Sequence, residues 1–366
     1  MLKQDMITVP NETQSLSSVT FNRVNELDFL RFFAALAVVF HHYSLDGFAA
    51  ESMTIMPYPL LASISKYGYL GVEFFFMISG FVILMAASNG DLKRFVISRI
   101  IRLYPAFWVC CSITFFFTLI IGASDYSASI HQYLINMTLL SGFMDVPPID
   151  GVYWSLFVEL KFYAFVAVIL LLGRIQQAEL FIIVWLAVTL ALEFHPILDL
   201  RFLMLEDYSA YFIAGATFFL IWAKGLTWTR CIVIVISWCF AIYQSTREIH
   251  QFEIRIRNDL DPYIITAIIC AYFVIMTLIS FKRMGAIGKV NWVWLGALTY
   301  PLYLIHQNLG FMIYNAVYTQ FNPQVLFWLL AFGMITLAYL IHIAIEKPLA
   351  KSMKIFFNKL TENLKT

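Results

Sequence analysis

Charge is scarce in this chain. Only 13% of its 366 residues are Asp, Glu, Lys or Arg, where an average soluble domain carries about 25%. With 61% hydrophobic residues and a mean hydropathy of +0.78, this shortage excludes an ordinary soluble domain and implies a chain that crosses a membrane many times. Cysteine is scarce as well. Cys110, Cys111, Cys231, Cys239 and Cys270 all sit in apolar runs, none at ligand spacing from His or Asp, which argues against a disulfide framework and against a metal site. The N-terminal 25 residues lack a short apolar core followed by a cleavage site, so they read as a flexible cytoplasmic tail and not as a secretory signal. There is no internal repeat, no low-complexity tract and no polar gap long enough for a second soluble domain. The net charge of +1 singles out no partner, and nucleic acid is not expected.

What the chain does contain is a series of apolar runs of spanning length: 27–46, 67–88, 104–122, 152–173, 179–195, 208–223, 228–244, 262–281, 293–317 and 325–345. They predict an all-α polytopic membrane protein, a bundle of about ten transmembrane helices. Residues 131–141 predict a short interfacial helix, 26–348 form the membrane domain, and 349–366 form a basic cytoplasmic tail. Lys93, Arg94, Arg99, Arg102 and the lysines from Lys347 onward fall on one side of this alternation. The opposite loops hold only Lys66, Arg201, Arg247, Arg255 and Arg257, so the positive-inside rule puts both termini in the cytoplasm.

The first run, ELDFLRFFAALAVVFHHY, carries Asp28, Arg31, His41 and His42 in or beside hydrocarbon, where an ionisable residue is costly and is by default a functional candidate. Arg31 and His42 are eleven residues apart. At about 100° and about 1.5 Å per residue, they share a helical face roughly 16 Å apart. Arg99 and Arg102, at i and i+3, present neighbouring guanidinium groups suited to phosphate oxygens. His42 is placed to act as a general base, with Glu73, Glu159 and His306 as candidates to orient it, relay its proton or hold an acceptor. Phosphate binders at one depth and a base at another fit a long anionic thioester such as acyl-CoA. Each residue alone has a plainer explanation: Arg31 snorkelling to Asp28, Arg99 and Arg102 as positive-inside residues, His42 as a bonded core histidine.

Six motifs, in order, carry a resemblance. They are LDFLRFFAALAVVFHH, with an Arg followed by the His of the first helix (Arg31 and His42); GVEFFFMISGFVI at 71–83; RIIRLYPAFW at 99–108; VYWSLFVELKFY at 152–163; YPLYLIHQ at 300–307; and Glu346-Lys347-Pro348. On these the chain resembles the acyltransferase-3 family of integral membrane O-acyltransferases, across about 27 to 348. The resemblance implies acyl transfer, commonly of acetyl, from cytoplasmic acyl-CoA to a hydroxyl of a surface or exported polysaccharide or its lipid-linked precursor. It further implies a bacterial cytoplasmic (inner) membrane and no metal. The family's arginine pair maps to Arg99 and Arg102, its first-helix pair to Arg31 and His42. Some members carry a fused soluble domain, so this chain is expected to work alone or with separate polysaccharide-assembly partners.

The expected site is therefore His42, Glu159, Glu73 and His306 as catalytic residues, with Arg31, Arg99 and Arg102 binding acyl-CoA. Glu159 and Glu73 are expected to hold the imidazole or grip the sugar, and His306 to line the acceptor side. Ser155, Tyr303 and Trp154 remain open as donors to the oxyanion. The rival expectations are a proton-coupled transporter or flippase, against which stands the lack of duplicated halves, and a non-catalytic membrane scaffold.

Overall fold

The computed structural model describes residues 23–363 apart from 50–53, 55–57, 123–125, 206 and 248. The expectation for the N-terminal tail thus falls almost wholly outside the described residues. Within them the chain is helical, with no strand. The long helices are α1 (Asn25–Ala49), α2 (Leu60–Ala87), α3 (Leu92–Ile121), α4 (Tyr153–Leu171), α5 (Ile175–Phe194), α7 (Trp228–Arg247), α8 (Pro262–Ser280) and α10 (Pro323–Leu360). These eight are long and apolar enough to cross a membrane. Two shorter apolar helices complete the expected order: α6 (Ser209–Lys224) and α9 (Val293–Ile305), the latter resuming as Gln307–Val317 after a break at His306.

Helix α6 runs through the core, buried at nearly every position from Ser209 to Ile221. It is pressed against α2 at a pair of glycines. A Cβ on Gly215 would meet the Met77 carbonyl oxygen at 1.8 Å, and one on Gly80 would meet the Phe212 carbonyl oxygen at 2.3 Å. With no hydrophobic drive between helices in lipid, such small-residue contacts supply the close backbone packing that holds a bundle together.

Three boundaries differ from the sequence reading. Helix α3 starts at Leu92, not at 104, with Asp91 capping it by accepting the Arg94 backbone N–H at 2.9 Å. Arg99 and Arg102 therefore lie on the helix itself, and Pro105 is inside it instead of opening it. Helix α10 continues past the expected end at 345, so the segment read as a basic tail is helical to Asn363. Both misses have one cause: a hydropathy run stops where charge begins, and these charged turns belong to the protein's interior and its basic end. The short helix expected over 131–141 is confined to Ile130–Asn136, fixed by a capping box from Ser129 and Gln132.

Two helices contain a π turn, His42–Asp46 in α1 and His342–Glu346 in α10. Such turns fit an extra residue into the helix and are frequent at functional sites. Arg23 and Asp28, at the start of the described chain, and Glu346 and Ala350 of α10 border the same cavity.

Candidate active site

Three adjacent cavities run in file through the bundle. The first, about 430 Å3, opens beside the chain ends and is lined by Asp28, Arg31, Arg99, Arg102 and Glu346. The second, about 90 Å3, shares Arg31, Arg99 and Arg102 with it and adds Ser155, Glu159 and Tyr163. The third, about 640 Å3, holds His41, His42, Asp46, Glu73 and Trp154, and shares with the second only Val72 and Tyr303. Arg31, Arg99 and Arg102 thus occupy one end of the file, and His41 and His42 the other together with Arg247 and Arg255, with Tyr303 at the junction.

The cationic end is built by α1, α3 and α10. Asp28 is held by Arg23 through two bonds, Nε to Oδ2 at 2.6 Å and Nη2 to Oδ1 at 2.8 Å. The plainer alternative, Arg31 paired to Asp28, is not formed at ion-pair distance, because Arg23 takes both Asp28 oxygens. Arg31 forms no hydrogen bond or ion pair with the described residues. Arg99 reaches only the Ser98 hydroxyl at 3.2 Å, its guanidinium lying 5.8 Å from the Tyr163 ring centroid. Arg102 is paired: Nη1 lies 3.1 Å from Glu346 Oε1, and His342 Nδ1 bonds the other oxygen at 2.8 Å. Arg31 and Arg99 have no carboxylate at ion-pair distance among the described residues, though Asp28, Glu159 and Glu346 line the same cavities, and two such guanidinium groups can seat a polyanion.

The other end depends on α9. In an unbroken helix the Tyr303 carbonyl would serve the Gln307 N–H; here it receives the His306 ring N–H, from Nδ1 at 2.9 Å. Tyr43 of α1 donates to the His306 carbonyl at 2.7 Å and ties the break to the first helix. The proton positions then follow. A carbonyl only accepts, so His306 Nδ1 carries the hydrogen, and a neutral ring leaves Nε2 as an acceptor. His42 Nδ1 lies 2.8 Å from that Nε2 and must donate to it. His42 Nε2 is left with its lone pair in the large cavity, the arrangement a general base requires. The two rings lie 19° from parallel with centroids 5.0 Å apart.

The remaining expected residues separate by position. His41 turns aside and donates from Nδ1 to the Ser65 carbonyl at 3.2 Å. Glu73 shares the large cavity with His42, and its buried Oε2 has no hydrogen-bond partner among the described residues. Glu159 is not beside the imidazole; it lies in the middle cavity and accepts from the Ser79 hydroxyl at 2.6 Å. Of the three candidates to orient His42, the one in hydrogen-bond contact with it is His306, also expected to line the acceptor side.

The sequence reading missed Asp46, four residues after His42 and 2% exposed, because it closed the first apolar run. Its i, i+4 spacing from a histidine was the available signal. Of the three oxyanion candidates, Trp154 lines the large cavity, Ser155 the middle one, and Tyr303 both. The Tyr303 hydroxyl sits 2.7 Å from Ser155 Oγ.

The model of the acyltransferase-3 family, described as an acyltransferase domain, matches residues 24–343. The chain belongs to this family. It is a multi-pass membrane O-acyltransferase. A protein of Acidianus two-tailed virus designated an acetyltransferase is 26% identical over 288 residues, 76% of this chain and 80% of the relative. The O-acetyl transferase of Shigella phage Sf6 is 29% identical over 181 residues, 45% of this chain and 51% of the relative. Nodulation protein 10 of Rhizobium leguminosarum bv. viciae is 28% identical over 171 residues, 41% of this chain and 45% of the relative. The aligned part thus spans about half the length of these last two relatives. No solved structure matches. The family match takes in every residue lining the middle and large cavities and most of those lining the first, leaving out Arg23, Glu346 and Ala350.

Proposed function

We propose that this acyltransferase moves an acetyl group from cytoplasmic acetyl-CoA to a hydroxyl of an envelope glycan or its lipid-linked precursor, across a bacterial inner membrane. The observation that carries this reading is the file of cavities joining unpaired guanidinium groups to an imidazole with a free lone pair. The phosphates of the donor meet Arg31 and Arg99 beside the chain ends, and Arg102 joins them when Glu346 yields. The pantetheine arm occupies the middle cavity, and the thioester stops at Tyr303. Basic residues gathered at the chain-end face support a cytoplasmic donor, and the name of the phage relative supports acetyl on oxygen.

At the junction the acceptor hydroxyl attacks the thioester carbonyl carbon while His42 Nε2 takes its proton. The tetrahedral oxyanion accepts a hydrogen bond from the Tyr303 hydroxyl. Its collapse breaks the carbon–sulfur bond, and the proton on His42 passes to the departing thiolate, giving the ester and free CoA. His306 holds the imidazole in the productive tautomer throughout, with the Tyr303 carbonyl behind it.

The test uses membranes carrying the full chain and its native acceptor, supplied with radiolabelled acetyl-CoA. Wild type releases CoA and labels glycan, His42→Ala loses about 10²–10⁴-fold, and His41→Ala stays within a few-fold. Full activity of His42→Ala at normal protein level removes the base. Proton-driven uptake of a precursor without CoA release makes the protein a transporter instead.

A further inference from the structure

We propose that Asp46 is an acceptor-binding residue: it holds a second hydroxyl of the acceptor beside the one deprotonated by His42, so the group acylated is one member of a vicinal diol. The inference rests on the reading of His42 as the base and extends it to the acceptor's chemistry.

The π turn brings Asp46 onto the cavity wall next to His42. Asp46 is 2% exposed and its carboxylate borders the 640 Å3 cavity. Oδ2 lies 3.8 Å from His42 Nε2, beyond hydrogen-bond length, and Oδ1 accepts no hydrogen bond from the described residues. Arg255, on the short helix Ile249–Ile256 at the cavity rim, approaches Oδ1 no closer than 3.8 Å. A buried carboxylate is costly unless donors satisfy it, and it can only accept. Arg255 is at ion-pair distance but supplies Oδ1 no hydrogen bond, so a ligand that brings a donor to this corner satisfies the carboxylate, and a hydroxyl fits. Nε2 and Oδ2 are close enough for neighbouring hydroxyls of one ring to engage both. One hydroxyl gives its proton to the base and the other is clamped, which selects the position acylated.

The carboxylate's other possible task is purely electrostatic, stabilising the imidazolium formed when Nε2 is protonated. The two roles separate by experiment. Full-length wild type, Asp46→Ala, Asp46→Asn and His42→Ala are expressed in a strain deleted for the gene. Acetyl content and position in the envelope glycan are read by mass spectrometry and NMR, and acetyl-CoA KM in isolated membranes. The proposal expects wild-type acetate on a single hydroxyl flanked by a free hydroxyl on the adjacent carbon. Asp46→Ala lowers acetylation about tenfold or more, the loss of a charge-assisted hydrogen bond, and spreads what remains over neighbouring positions. Asp46→Asn, whose amide oxygen still accepts, retains the position and loses less. Acetyl-CoA KM is unchanged in both.

Wild-type acetate on a carbon with no neighbouring hydroxyl overturns the proposal, as does Asp46→Ala with normal rate and position. Equal losses in both variants with the position kept assign Asp46 to the imidazolium instead. An active His42→Ala is a separate failure, that of the base itself.

Discussion

The chain uses the same local device twice. His42 and Asp46 in α1, and His342 and Glu346 in α10, are each a histidine and a carboxylate four residues apart in a π turn. In α10 both oxygens are engaged: His342 takes Oε2 at 2.8 Å and Arg102 takes Oε1 at 3.1 Å. In α1 the histidine is turned to His306, and the carboxylate stands 3.8 Å away, with one oxygen that faces Arg255 at 3.8 Å and accepts no hydrogen bond from the described residues. A satisfied cluster closes α10 onto α3 and limits Arg102. An unsatisfied one, facing a cavity, keeps its bonding capacity for a ligand. The same local sequence device therefore does not specify a role; what decides it is which partners the rest of the bundle supplies.

The comparison predicts that substitutions at the imidazole end reduce turnover, while those at the cationic end weaken donor binding or stability. The largest effect tests the junction. Tyr303→Phe removes the hydroxyl shared by both cavities but leaves the carbonyl that orients His306, so kcat falls about 10²-fold with acetyl-CoA KM unchanged. A raised KM at full kcat would move Tyr303 to the donor side. Next come Arg31→Ala and Arg99→Ala, each expected to raise acetyl-CoA KM about tenfold or more through lost charge-assisted bonds to phosphate. An unchanged KM in both would leave the cationic cavity without a donor. The smallest effect is that of Glu346→Gln. The Arg102 side chain is 36% exposed, so this ion pair is worth about 1 kcal/mol. Thermal unfolding in detergent should shift by a few degrees at most, and acetyl-CoA KM should change little. If Glu346→Gln instead destroyed turnover at normal stability, the two π turns would be equivalent and the contrast would fail.

Much of the fold was legible from hydropathy, because a residue in lipid must be apolar and a backbone in lipid must bond to itself. The reading faltered where charged turns joined a helix, at the start of α3 and beyond residue 345. The site was legible in part. Arg31 and His42 share one helix, so their spacing follows from helix geometry alone. His306 lies 264 residues from His42, and nothing local places its Nε2 2.8 Å away. Glu159 was expected to hold the imidazole or grip the sugar, and depth alone could not choose between them; α4 turns it to Ser79 of α2, away from the imidazole.

By itself the sequence determined that this chain is a multi-helix membrane protein, that an arginine and a histidine share the face of its first helix, and that paired arginines precede the apolar part of the third. Composition and helical period suffice for that. Only the tertiary structure decided which nitrogen of His42 is free, which residue orients it, and which carboxylate stays without donors. Those depend on side chains brought together across α1, α2, α3, α4, α9 and α10, and a hydrogen bond between distant segments exists only once the packing of the helices has set its distance and direction.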